Sequence, residues 1–115
     1  MKTIASLLPL LVLAQVSFSQ PTPDTLWTRT YGGSGTDLAY SVQQTTDGGY
    51  IVAGYSNSFS GGYYDCYLVK TNSLGDTLWT RTYGGDSDEH AYSVRQTTDG
   101  GYIIAGETMS FGAGA

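Results

Sequence analysis

Residues 37–54 read DLAYSVQQTTDGGYIVAG, and residues 89–106 return almost the same text, EHAYSVRQTTDGGYIIAG. In each copy Asp-Gly-Gly, at 47–49 and 99–101, separates two runs rich in β-branched and aromatic residues. Asp-Gly followed by Gly supplies the positive φ angles that a tight hairpin needs, so Tyr40–Thr46 and Tyr50–Ser56 are predicted as paired strands. Along Tyr50–Tyr55 both alternating sets of side chains are apolar or small. That pattern belongs to a strand covered on both faces, not to one with a wet side.

The repetition extends well beyond the hairpin. DTLWTRTYGG at Asp24–Gly33 recurs unchanged at Asp76–Gly85, a period of 76 − 24 = 52 residues. Aligning 24–63 with 76–115 leaves 27 of 40 positions identical, enough to require the same local fold twice. A fixed period of this size points to stacked units that cannot bury their apolar faces alone. Thr25–Thr30 is predicted as a strand ending at Gly32-Gly33, and the Ser/Gly-rich stretch Asn57–Tyr64 as a loop. Asp65–Thr71 is a third strand of the hairpin's unit, and Asn72–Gly75 turns the chain into a fourth, Thr77–Tyr83. The expected fold is all-β: four-stranded antiparallel meanders, with one full unit at 40–83 and partial units at 25–33 and 92–115. Ser41–Thr45 is the most polar strand and the next narrows to Ala53 and Gly54, a gradient expected of a β-propeller blade whose innermost strand lines a wet channel. With the outer turn centred on Leu74, Val69 falls opposite Trp79 and Tyr67 opposite Arg81, as cross-strand and cation–π pairs. The repeated Trp27/Trp79 and Tyr31/Tyr83 are read as packing positions between units. Asp47/Asp99 and Gly48/Gly100 are read as turn positions.

Residues 1–19 stand apart from the repeats. Lys2 precedes an apolar run from Ile4 to Leu13, which matches a signal-peptide core of roughly 7–15 residues and is too short for a membrane span of about 20. Export to the outside or the cell surface is therefore expected, followed by a linker at 20–24 with Pro21 and Pro23 and no transmembrane segment after cleavage. Without Lys2, four basic residues (Arg29, Lys70, Arg81, Arg95) face ten acidic ones, a net charge of 4 − 10 = −6. Scattered cations on an acidic chain exclude a phosphate-binding surface, and with it nucleic acid. Cys66 is the single cysteine, so no disulfide forms within the chain, and it is read as a small buried hydrophobe.

Chemistry-bearing clusters are few. Asp86, Asp88 and Glu89 offer oxygens of the kind Ca²⁺ prefers, but the EF-hand pattern fails at Ala91 and Thr97. Only the acidic position Asp37/Glu89 recurs, and it suits a carboxylate accepting bonds from turn amides. His90 is the sole histidine, and with Cys66 it makes no zinc spacing. The serines lie in Gly-rich loops with no activating base, and TYGGSG lacks the lysine and helix of a phosphate loop. No catalytic residue and no cofactor is assigned.

Lined up, TYGG, DGGYIVAG, DCYLVKTNSLGDTLW and SFGAG resemble the tandem repeats of secreted bacterial propeller-like proteins, over essentially all of 24–115. The resemblance implies a propeller-type fold; such proteins often carry a C-terminal sorting module, which this sequence does not show. LVKTNSLGDTLW is also similar to the outer hairpin of quinoprotein-type propeller repeats, a likeness of construction that implies no cofactor. The expected strands amount to under two blades, against about four to eight in a closed propeller. The sequence is thus expected to belong to a longer protein, with open sheet edges able to pair with other copies. The function expected is binding or structural interaction with carbohydrate or protein at the cell surface. The alternative is a non-catalytic or scaffold part of a secreted polysaccharide hydrolase, contacting sugar through Tyr63 and Tyr64.

Overall fold

The computed structural model describes residues 26–111 and, ahead of them, two short strand segments, β1 (Lys2–Ile4) and β2 (Ala14–Val16), paired antiparallel. The rest of the expected signal peptide, the 20–24 linker, Thr25 and residues 112–115 lie outside the described residues. All regular structure described is β. Strands β3 (Asp37–Gln44), β4 (Tyr50–Ser56), β5 (Asp65–Thr71) and β6 (Thr77–Tyr83) form one antiparallel sheet in chain order. Strands β7 (Glu89–Gln96) and β8 (Tyr102–Thr108) form a second, two-stranded sheet in the same register as β3 and β4. Among the described residues no helix is long and apolar enough to cross a membrane.

The β3–β4 and β7–β8 turns are near copies. Thr45 N–H donates to Gly49 O at 2.9 Å and Thr97 N–H to Gly101 O at 2.9 Å, while Gly48 and Gly100 sit at φ +85° and +86°. The two sheets then lie face to face. Ile51 and Ala53 of β4 and Leu68 of β5 pack on Ala91 and Val94 of β7, flanked by Trp79, Tyr102 and Ile104. On the opposite face Val52, Tyr67 and Val69 pack against Tyr31, with Trp27 and Ala39 alongside. The central strands β4 and β5 are therefore buried on both sides, as the apolar run 50–55 requires.

Two details differ from the sequence reading. Residues 26–29 form no strand and Thr30 only an isolated bridge, although their text is identical to that of β6. β6 ladders onto β5, whereas 26–31 is held by side chains: Arg29 bonds Asp76 at 3.2 Å, and Tyr31 donates its hydroxyl to Gly75 O at 2.5 Å. Strand character depends on the partner more than on the residues. The outer hairpin is also shifted by one residue. Leu78 is inserted as a β-bulge between Thr71↔Thr77 and Lys70↔Trp79, so Val69 faces Thr80 and Tyr67 faces Thr82. Arg81 accordingly lies over Trp79, 5.3 Å from the ring centroid, and not over Tyr67.

A second kind of bulge recurs in both sheets. The register skips between Ala39 and Ser41, and between Ala91 and Ser93, leaving Tyr40 and Tyr92 as the extra residues. The bulged backbone crowds the facing strand: a Cβ on Gly54 would lie 1.7 Å from Leu38 O, and one on Gly106 2.0 Å from His90 O. Only glycine fits there. Gly54→Ala is expected to cost about 3 kcal/mol, the upper end for overpacking a close contact. Gly48→Ala, with open space around it, should cost about 1 kcal/mol for its positive φ. Urea unfolding of the two variants measures this, and equal costs would mean that the bulge does not set the glycine.

Candidate functional site

The bulges turn Tyr40 and Tyr92 outward at the same end of the two sheets, where they meet as an edge-to-face pair with centroids 5.2 Å apart. Tyr40 also stacks on Tyr55, at 5.3 Å and 17° between planes, and the two hydroxyls share a hydrogen bond at 3.0 Å. Tyr55 in turn contacts Tyr64 edge-on at 5.3 Å and the His90 ring at 4.1 Å. Glu107 Oε1 closes the group, 2.7 Å from His90 Nδ1 and 3.0 Å from the Tyr92 hydroxyl that donates to it. Four tyrosines, a histidine and a carboxylate thus form one continuous surface spanning both sheets.

Electrostatics follow from these bonds. Hydrogen bonds from His90 and Tyr92 hold Glu107 below the usual carboxylate range, so it is an acceptor at neutral pH and the histidine Nδ1 donates. Burial, then the Glu107 bond, pushes the Tyr92 phenol up. The bond to Tyr40, then burial, raises Tyr55 further still. All three groups keep a fixed charge across the physiological range, and the surface presents rings, hydroxyls and one carboxylate.

Beneath the platform lie two buried carboxylates at repeated positions. Asp37 accepts from Gly33 N–H at 3.1 Å, from the Ser58 hydroxyl at 2.9 and 3.0 Å, and from the Ser56 hydroxyl. Glu89 accepts from Gly85 N–H at 2.7 Å, Thr108 Oγ1 at 3.0 Å and Ser110 N–H at 3.1 Å. Burial would raise the Glu89 pKa, but the bonds from Ser110, Gly85 and Thr108 outweigh it and the pKa is lowered. Asp65 has one buried oxygen without a partner, and burial together with the nearby Glu89 raises its pKa. The 57–64 loop is tied down from the second sheet, since Tyr64 N–H donates to Asp88 Oδ1 at 2.9 Å and Tyr64 O accepts from Glu89 N–H at 2.6 Å. Tyr64 is thereby fixed in place.

The residues singled out in the sequence separate into distinct places. Asp86, Asp88 and Glu89 do not converge: Glu89 is turned inward, Asp88 holds the 57–64 loop and Asp86 is exposed. Among the described residues no three His, Cys, Asp or Glu side chains come together to hold a metal ion. Trp27 packs edge-on to Tyr50 at 5.8 Å, and Trp79 repeats this on Tyr102 at 5.9 Å, both at 64°. Tyr31 is buried while Tyr83 is exposed. Tyr63 is exposed and outside the stacked group, which takes Tyr64 alone from that pair. Cys66 is half-buried on β5, and burial, then Glu89 and Asp65, pushes its thiol up, away from reactivity. Asp47 and Asp99 cap their turns, accepting from Gly49 and Gly101 N–H at 2.9 and 3.0 Å.

Sequence reasoning missed the platform as a unit and missed Lys70. The bulge leaves no mark on an alternating pattern, but Leu38/Tyr55 becoming His90/Glu107 between otherwise matching copies was a usable signal. Lys70 is buried, with Nζ donating to Asp47 Oδ2 at 2.9 Å and to Thr71 O at 2.9 Å. Compared with known proteins, the chain matches no family model and no curated sequence.

Asp47 is held far below the usual range by Thr45, Gly49 and Lys70, in that order. Its folded-state pKa lies below its unfolded value of about 3.9, so the stabilisation is present above that pH and is lost as pH falls toward the folded-state value. Asp47→Asn should be less stable than the native chain at pH 7, and the gap should narrow steadily as pH is lowered from about 5 to about 2. Urea unfolding over a pH series reads this out; a gap independent of pH would assign the loss to something other than the carboxylate.

Proposed function

We propose that the chain is an exported, propeller-type repeat module without catalytic activity, and that it binds carbohydrate through the tyrosine platform. The observation that carries this reading is the platform itself: interlocked rings, with Tyr40 and Tyr92 exposed over half-buried Tyr55 and Tyr64, whose polar edges are held by Glu107, Tyr40 and Tyr55. Rigid tyrosines lose little conformational entropy on binding and offer an apolar face beside a hydroxyl, which suits a sugar ring with its axial C–H face and equatorial hydroxyls. The acidic surface, free of cationic clusters, disfavours anionic ligands. Export is supported by the composition of residues 1–19, and the propeller-type reading by a four-stranded meander packed face to face on the β7–β8 hairpin, which repeats the register of its first two strands.

A second reading makes the same surface the sugar-contacting scaffold of a secreted polysaccharide hydrolase. Glu107 favours it, being a carboxylate where the first copy has Tyr55. A glycosidic acid, however, needs a raised pKa and a partner carboxyl about 5–10 Å away, whereas Glu107 is lowered and committed to His90 and Tyr92. Affinity electrophoresis in gels containing hydroxyethyl cellulose, xylan or soluble starch tests the binding reading. Retarded migration is expected in at least one gel, weakened about tenfold in affinity by Tyr40→Ala or Tyr92→Ala, with no reducing sugar released. Unchanged migration in every gel, or retention indifferent to both substitutions, removes the platform as a carbohydrate site.

A further inference from the structure

Among the described residues one sheet-to-sheet interface is built, and the outward faces of β3 and β8 present the two halves of another. Inside the chain Ile51 of β4 is 0% exposed and Val94 of β7 is 1% exposed, because they cover each other together with Ala53 and Ala91. Their counterparts 52 residues away are the same amino acids left open: Ile103 of β8 is 61% exposed and Val42 of β3 is 49% exposed. Ala105 beside Ile103 is likewise exposed, where its counterpart Ala53 is buried. The outer part of the β3 face is already covered in cis by Trp27 and Tyr31, as Trp79 covers the corresponding part of the second sheet.

We propose that the chain self-associates head to tail, the β8 face of one copy around Ile103 and Ala105 seating on Val42 of the next. The partner is identified by the interface already built within the chain, since identical residues in the same register pack against each other there. This goes beyond the carbohydrate reading and does not rest on it. The two contacting faces differ, so the contact is heterologous and grows into chains or a ring instead of stopping at a symmetric dimer.

The backbone bonds define how tight the contact is. Within the chain Ser41 Oγ accepts Val94 N–H at 3.2 Å and Gln43 Oε1 accepts Gln96 N–H at 2.7 Å. Between copies Ser93 reproduces Ser41, but Arg95 stands in the place of Gln43, and a guanidinium has no lone pair to accept the Gln44 N–H. Leu68 of β5 also has no counterpart among the described residues. The contact is therefore smaller than the internal one and belongs with weak interfaces of under about 1,200 Å².

Sedimentation velocity of the purified chain from roughly 1 µM to 1 mM tests this. The average mass should climb with concentration past that of a dimer. Ile103→Asp and Val42→Asp each block one face at an exposed position, so each variant alone should stay monomeric. Mixed one to one they should form a complex that stops at two copies, because the free β8 face of the Val42→Asp copy seats on the free β3 face of the Ile103→Asp copy and both outward faces are then blocked. Arg95→Gln should tighten the native association by roughly 2–10-fold, the worth of one restored hydrogen bond. A native chain that remains monomeric throughout, an Ile103→Asp variant that still associates with itself, a mixture that gives no heterodimer, or an Arg95→Gln chain that associates no more tightly would each overturn the proposal. Urea midpoints of both Asp variants close to that of the native chain establish that a monomeric result reports the interface and not unfolding.

Discussion

A sheet with apolar side chains on both faces has to be covered twice, and β4 imposes that requirement on everything else here. Ile51 and Ala53 point into one core and Val52 into the other, and the residues between Ile51 and Gly54 are all buried. Burial at about 25 cal/mol per Å² of apolar surface is gained only where a second layer arrives on each side. On one side the layer is the β7–β8 hairpin. On the other it is the irregular segment 26–31, whose Tyr31 is so enclosed that burial pushes its phenol up to about 12. That explains why the identical stretches Leu26–Tyr31 and Leu78–Tyr83 serve as a packed strap in one copy and as part of a ladder strand in the other. What is kept is the covering of a face by tryptophan, Trp27 on Tyr50 and Trp79 on Tyr102, not the hydrogen-bonding pattern of the strand that carries it.

The same packing produces the platform. Close approach of β3 to β4 is possible because Gly54 has no side chain, and the bulge that this approach accommodates rotates Tyr40 out of the core. The second sheet repeats the device with Gly106 and Tyr92. Bulges commonly re-aim a side chain toward a working surface. Here two of them, stacked by the face-to-face contact of the sheets, bring rings from both copies to within 5.2 Å of each other. The carboxylates of Asp37 and Glu89 pin the loops below through the turn amides of Gly33 and Gly85, so the platform stands on loops held from within.

Much of the architecture was legible in the text of the chain, and the reasons for the remainder are specific. Asp-Gly-Gly marks a hairpin because the turn demands positive φ at Gly48 and Gly100, a local requirement that sequence records directly. Two-sided burial of 50–55 is equally local, being a matter of period. The one-residue bulges at Tyr40, Leu78 and Tyr92 are not, since inserting a residue leaves composition unchanged while reversing which side chains share a face. The misplaced pairings of Val69 and Tyr67 both follow from the single insertion at Leu78. Lys70 could not be read as a buried cation because its partner, Asp47, is 23 residues away across two turns. The platform is harder still, assembled from the ends of four strands and one loop.

The internal repeat offers a further way of separating scaffold from surface. Of the 40 − 27 = 13 positions at which the two copies differ, eleven fall within 34–38, 55–57 and 60–63, all at the end of the sheets that carries the platform, and only Gln43/Arg95 and Val52/Ile104 lie elsewhere. Several of the changes are concerted. Asp37 pairs across the strands with Ser56 where Glu89 pairs with Thr108, so the carboxylate and its hydroxyl donor change together. Leu38 pairs with Tyr55 where His90 pairs with Glu107, exchanging an aliphatic–aromatic pair for one held by a hydrogen bond. The bulged tyrosine is held fixed between the copies while its neighbours alter. A unit built this way separates two demands. Trp, Gly and the apolar strand residues answer to packing and stay constant, whereas the pair beside each tyrosine is free to set what that tyrosine meets.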